Sequence, residues 1–348
     1  MTQHVPDPVS EKAAIVRDPL WLAHRYDATT DAFQFRHVTR AAHRKATFLT
    51  DEYLGEATRT VPVARAEALA AGAPRAPVHF VFHSAFCAST MLVRGLDVAG
   101  VAMGLSEPVL CNDLIGWRWR GADRRAVAAV LDASLAMLQR PFGAGEAVVV
   151  KPSNIFNPLI EAAMALRPES RAVFLHAPLP VFLASVARKG LWCRLWAREL
   201  LEGQLREGMV DMGFGPSDYF RQSDLQVAAI GWLAQHRLFG TLAAKLGPAR
   251  VATLDSETLT ARKGESVLGL VRHFGLSAGA DARERLLANP ALTSHSKFGQ
   301  QFTREDRAAE QEFARRAYGD EIDKVHAWAI EVARVNGILL ELPHALSV

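Results

Sequence analysis

Ser84-Ala85-Phe86-Cys87-Ala88-Ser89-Thr90 is the stretch of this chain whose residue types and spacing most clearly suit chemistry. All but Phe86 are small; they follow an apolar run rich in β-formers at 78–82 and open a helical pattern carried by Leu92, Val93 and Leu96. A strand, a tight loop and a helix start aim several backbone N–H groups, and the positive end of the helix dipole, at one point. That arrangement binds an anion such as a phosphate. Ser89 and Thr90 would otherwise be plain helix caps, which their types also favour. Lys151 is the second feature, because it ends an otherwise apolar run at 147–150. A lysine there requires an anion or a carboxylate beside it, and Glu107 or Glu146 is a ready partner.

The elements that must position these groups alternate along the chain. Short apolar runs at 78–82, 147–150, 171–175 and 250–254 suit buried parallel strands, and helical patterns at 155–166, 181–189, 225–246 and 265–274 separate or follow them. The last pattern stops at Gly275, as a helix ending in a glycine cap does. Residues 113–140 read as helical with a split near Gly116 to Gly121, and residues 304–336 as a terminal helical region broken near Gly319. Alternation of this kind predicts an α/β fold of three layers, with a central, mostly parallel sheet flanked by helices. Residues 1–76 show helical spacing over 38–53 and 63–71 and are expected to form a helical N-terminal extension on a main domain at 77–348. The glycine-rich stretch 203–224 is expected to be a mobile lid or substrate loop.

Composition excludes several classes. With 40 basic and 37 acidic side chains, a net charge of +3 and no Lys/Arg-rich run, no nucleic-acid partner is indicated. Cys87, Cys111 and Cys193 are widely spaced, with no CxxC and no histidine spacing suited to zinc, so reduced thiols and no metal site are expected. The N-terminus lacks a basic cap followed by an apolar core, and no apolar run approaches the ~18 residues of a membrane helix. A cytoplasmic protein with no membrane partner is expected.

Three features in order resemble the sulfotransferase branch of the P-loop fold, enzymes that use 3'-phosphoadenosine 5'-phosphosulfate as donor. Residues 84–90 look like that family's 5'-phosphosulfate loop, a basic residue, Ser, Gly and two Ser/Thr. His176-Ala177-Pro178 followed by Ser185 is similar to its 3'-phosphate motif, Arg-x-Pro and a serine. The stretch 251–259, with Phe274-Gly275-Leu276 downstream, resembles the strand-Tyr-Glu-Asp-Leu and Phe-Leu-Gly-Leu pattern of bacterial members. The basic residue of the loop falls on Phe86, the glycine on Ala88, the arginine on His176, and Ser185 sits one position late.

The resemblance implies sulfuryl transfer to a hydroxyl or amine of a small molecule, with positioning and electrostatics doing most of the work. It implies Glu107, 17 residues after Thr90, as the base; a surface glutamate in a turn is the plainer alternative. Lys151 lines up with a family lysine and would supply the charge Phe86 lacks. His83, directly under the loop, would be an acid for the departing phosphate or a structural histidine. For the 3'-phosphate the nominees are Ser185, Arg188, His176 and Lys297. An ATP-dependent kinase or ATPase is the main rival, drawing on Asp255 as a metal-binding aspartate, but the Walker pattern would need Gly, Gly and Lys at His83, Ala88 and Ser89. A third reading is an inactive nucleotide-binding module of the same fold.

Overall fold

Phe33 and Phe35 alternate with Gln34 and Arg36, which is the period of a strand, and this pattern decides the N-terminal region. The computed structural model describes residues 8–57, 59–293 and 304–348. It places an antiparallel sheet here, with β1 (Trp21–Asp27), β2 (Ala32–His37) and β3 (Thr60–Ala64) in that order. The expected helical extension over residues 1–76 is corrected accordingly. Helices α1 (Pro8–Arg17), α2 (Arg40–Lys45), α3 (Asp51–Leu54) and α4 (Arg65–Ala70) are present, but alongside a sheet. The physical reason lies in β2, where Phe33 and Phe35 are fully buried together and a helix would have parted them.

The second sheet has five parallel strands, β4 (Val78–His83), β5 (Ala102–Ser106), β6 (Ala147–Lys151), β7 (Ala172–His176) and β8 (Val251–Asp255), in the order β5-β6-β4-β7-β8. Every residue of β4 and β6 is buried, which is why these strands read as continuous rather than alternating apolar runs. Helices α5 (Ser89–Leu96), α6 (Val109–Trp119), α7 (Arg124–Leu138) and α8 (Ile160–Leu166) accompany the first strands. After β7 come α9 (Leu179–Arg188), α10 (Leu191–Arg206), α11 (Pro216–Arg221) and α12 (Asp224–Leu246). After β8 come α13 (Ser256–Ala261), α14 (Lys263–Phe274), α15 (Ala280–Leu287) and α16 (Arg304–Val335). The α/β class, with a parallel sheet flanked by helices, is the one expected. The three cysteines are free and buried, and among the described residues no helix is long and apolar enough to cross a membrane.

Contacts divide the chain into two compact units. One comprises Met1–Phe80, Val93–Ser170 and Leu276–Arg285, and the other Val81–Leu92, Arg171–Gly275 and Leu286–Val348. In the first, the split expected between two helices near Gly116 to Gly121 lies between α6 and α7, where Gly121 takes φ +89°. In the second, α14 ends on Gly275 at φ +68°, as expected of a left-handed cap. The expected break near Gly319 is absent, since α16 runs through it; a helical glycine costs only about 1 kcal/mol. The expected lid is also partly helical, because α10 extends to Arg206 and α11 spans Pro216–Arg221. Between them Arg237 donates to the carbonyls of Met209 and Asp211, both at 2.8 Å, which ties the segment down.

Each unit holds a deeply buried histidine. Burial pushes His43 in the first unit, and His236 in the second, down to about pKa 3. Both rings are neutral when folded and protonate near pKa 6.5 when unfolded, so the unfolded chain takes up the protons and stability falls with pH below about 6.5. At about pH 5.5 each histidine should cost ~1.4 kcal/mol by this linkage. Urea titrations at neutral and mildly acidic pH test this, and His43→Phe should reduce the acid loss.

Candidate functional site

The loop 84–90 belongs to the second unit, and its geometry starts where β4 meets β7. Ser84 N–H donates to the Leu175 carbonyl at 3.1 Å, and the backbone then leaves the strand. Ala85, Phe86 and Ala88 take φ of 73°, 51° and 63°. Left-handed backbone of this kind is uncommon for residues other than glycine and costs on the order of 1–2 kcal/mol at each position. Such strain collects at functional sites, and backbone turned this way forms concave sets of N–H donors that hold anions. His83 sets the turn, because its Nδ1 accepts from Ala85 N–H at 3.1 Å, which leaves the ring proton on Nε2. The Ser84 hydroxyl is 1% exposed and finds no partner among the described residues. Ser89 and Thr90 open α5, whose first N–H groups have no acceptor within the helix.

Phe86 holds the loop by its ring. It packs at 5.8 Å from Phe182 of α9 and edge-on at 5.2 Å from Trp196 of α10. Lys189, at the C-cap of α9, sets its ammonium 4.9 Å from the centre of the same ring. A cation on an aromatic face is worth about 0.5–2 kcal/mol, and here it brings positive charge to the residue standing where a basic side chain was expected. Sequence reasoning missed Lys189, since nothing in the local pattern separates it from an ordinary cation at a helix end. Trp192 and Trp196 share helical spacing but not fate: Trp192 is 67% exposed, and Trp196 joins Phe86.

Glu107 and Lys151 lie in the first unit and face each other. Ser106 pairs with Lys151 in the β5–β6 register, and Glu107 N–H donates to the Lys151 carbonyl at 2.7 Å. The Lys151 ammonium then donates to Glu107 Oε1 at 2.5 Å, with the Phe48 ring 4.9 Å away. The Lys151 side chain is wholly buried, so this carboxylate compensates a charge that would otherwise be very costly there. Glu107 itself sits at φ +46°. Glu146, the other possible partner, binds Arg40 at 2.7 Å and Gly100 N–H at 2.8 Å instead.

The remaining nominees are in the second unit or outside the described residues. His176 ends β7 with its ring 5.0 Å from His236, which stacks on Trp232 at 4.0 Å. Burial holds His176 below the usual histidine pKa, with Asp255 pulling the other way. It lines a cavity of about 580 Å³ whose charged and titratable lining is Asp255, His326 and Glu341, with no lysine or arginine. Ser185 donates its hydroxyl to the Val181 carbonyl at 2.9 Å within α9, and Arg188 closes that helix. Lys297 lies outside the described residues. Asp255, on which the kinase reading leaned, caps α13 by accepting from Glu257 and Thr258 N–H at 2.9 Å each. Among the described residues no cluster of three or more His, Cys, Asp or Glu could hold a metal ion.

No protein-family model matches the chain, and no curated protein matches it significantly. Solved structures similar to it include a sulfotransferase domain from the curacin biosynthetic pathway, 15% identical over 78% of this chain and 100% of that one, with a TM-score of 0.40. Sulfotransferase STF1 from Mycobacterium tuberculosis H37Rv is 18% identical over 70% and 76% of the two chains, with a TM-score of 0.38. A sulfotransferase domain from the Synechococcus PCC 7002 olefin synthase is 12% identical over 69% and 95%, with a TM-score of 0.37.

Proposed function

We propose that this chain is a sulfotransferase that moves a sulfuryl group from 3'-phosphoadenosine 5'-phosphosulfate to a hydroxyl or amine of a small-molecule acceptor. The observation that carries the reading is the loop, with three left-handed non-glycine residues, an orphaned Ser84 hydroxyl and a helix start converging after β4. In the reaction the bond between sulfur and the phosphate oxygen breaks, the acceptor atom bonds to sulfur, and the acceptor proton passes to Glu107. The loop N–H groups with the Ser84, Ser89 and Thr90 hydroxyls hold the phosphosulfate, and Lys189 supplies the charge that Phe86 cannot. His83, whose ring proton is on Nε2, donates toward the departing phosphate. Ser185, Arg188, His176 and Lys297 are the proposed 3'-phosphate contacts.

Thermal-shift titration with adenosine 3',5'-bisphosphate and with Mg-ATP tests the assignment. The bisphosphate alone should stabilise the chain, by about 2.7 kcal/mol at a hundredfold excess over Kd. Stabilisation by Mg-ATP and not by the bisphosphate would sink the reading. Lys189→Met should weaken bisphosphate binding about fivefold to tenfold, and adding Phe86→Lys should restore it. Unchanged affinity in Lys189→Met removes Lys189 from the loop's charge.

A further inference from the structure

A second cavity, in the first unit, has a polar lining that its own residues leave incomplete. It is about 460 Å³, within the range of small-molecule sites, and its charged and titratable lining is His24, Arg25, Arg36, Asp51 and Glu56, with Gln34 and Thr60 beside them. The strand pattern explains the wall. Phe33 and Phe35 take the core side of β2, so Gln34 and Arg36 are on the opposite face. In β1 the register slips between Ala23 and Arg25, which makes His24 the extra residue of a bulge. Bulges re-aim side chains and are frequent beside functional sites.

Asp51 organises the cluster. It accepts from His24 Nε2 at 2.6 Å and from Arg25 at 2.6 Å, and it lies 4.0 Å from the Arg36 guanidinium. Arg25 is further held by Asp113 through contacts of 2.7 to 3.1 Å. Among the described residues Arg36 donates to the carbonyls of Leu54 at 3.2 Å and Gly55 at 3.1 Å, and the carboxylate nearest to it is that of Asp51. Two polar atoms of this lining find no partner among the described residues. Arg36 Nε and His24 Nδ1 are both buried without a partner, in residues each 5% exposed. A carboxylate accepts only, so the His24 proton is on Nε2 and Nδ1 offers a lone pair. A buried guanidinium N–H without an acceptor and a buried imidazole nitrogen without a donor each carry a desolvation cost.

We propose that this cavity binds a small hydroxylated carboxylate, whose carboxylate accepts from Arg36 Nε–H and whose hydroxyl donates to His24 Nδ1. The donor and the acceptor left unmatched are of opposite kinds, so one ligand carrying both functions satisfies them together. A simple carboxylate would leave Nδ1 unmatched, and a neutral sugar would offer Arg36 Nε–H a hydroxyl in place of a stronger, charged acceptor. Asp51 fixes the imidazole tautomer that this recognition needs, and it also holds Arg25.

The test is a heteronuclear NMR titration of the full chain with glycolate, malate and gluconate, with butyrate and glucose as controls lacking the hydroxyl or the carboxylate. At least one hydroxy acid should move the Arg36 Nε–Hε and His24 imidazole resonances saturably, and neither control should. Arg36→Lys should lower the affinity about tenfold or more, and His24→Phe should lower it at least a few-fold. The native protein's own resonances carry the answer if either variant fails to fold. The proposal is overturned if no hydroxy acid moves those resonances, if butyrate or glucose moves them equally, or if both folded variants bind as the parent does. This site is independent of the sulfuryl-transfer reading, because neither bisphosphate binding nor its absence alters the outcome.

Discussion

Replacing Glu107 by glutamine is expected to cut sulfuryl transfer by about 10²- to 10⁴-fold, the usual contribution of a positioned base. The same change should also destabilise the chain, and the two effects must be separated. Lys151 is fully buried and depends on the Glu107 carboxylate 2.5 Å away, so a neutral amide leaves an uncompensated charge. Breaking a buried pair from one side costs about 3–5 kcal/mol. The double variant Glu107→Gln/Lys151→Met removes both charges and should recover most of that loss in urea unfolding. Its sulfuryl transfer should remain as low as that of the single variant. Activity that returns along with stability would assign Glu107 to the structure alone, and full turnover in the single variant would remove the base from the mechanism.

Arg140→Met should lower stability by about 4 kcal/mol. The Arg140 guanidinium is buried in the first unit, and burial brings its pKa down to about 10, so it stays charged at neutral pH. Its donors reach the carbonyls of Met137 at 2.7 Å, Val16 at 2.8 Å, Asp18 at 3.2 Å and Trp21 at 2.7 Å, and it covers the Phe35 ring at 5.2 Å. The end of α7 is thereby tied to the turn between α1 and β1. Methionine keeps the apolar stem and leaves those carbonyls without their donor. Lysine should restore only part of the loss, because one ammonium cannot reproduce the planar fork. A stability change below about 1 kcal/mol in Arg140→Met would show that these carbonyls find other donors.

The alternation of strand and helix was legible because parallel strands buried on both faces must be continuously apolar. The strands at β6, β7 and β8 accordingly lie within a residue of where their apolar runs place them. Gly275 was legible as a cap for a backbone reason that needs no tertiary context. The sheet at β1 to β3 was not, because short, charge-rich strands give a weaker signal, and the bulge at His24 interrupts the alternation. Gly319 misled in the opposite direction, since a glycine weakens a helix without ending it.

What the amino-acid order determined by itself is a β-run, a loop of small residues and a helix start at Ser89 and Thr90, the arrangement proposed to hold an anion. It also determined that Lys151 needs a counter-charge, because an ammonium in an apolar strand cannot stand alone. Tertiary structure decided which charges meet. It gave Lys151 to Glu107, and Glu146 to Arg40 and Gly100. It also set Lys189 on Phe86 and placed His176 against His236. The reason is physical: a side chain's type fixes what partner it requires, whereas the partner itself is chosen by chain segments far apart in sequence, and only packing brings those together.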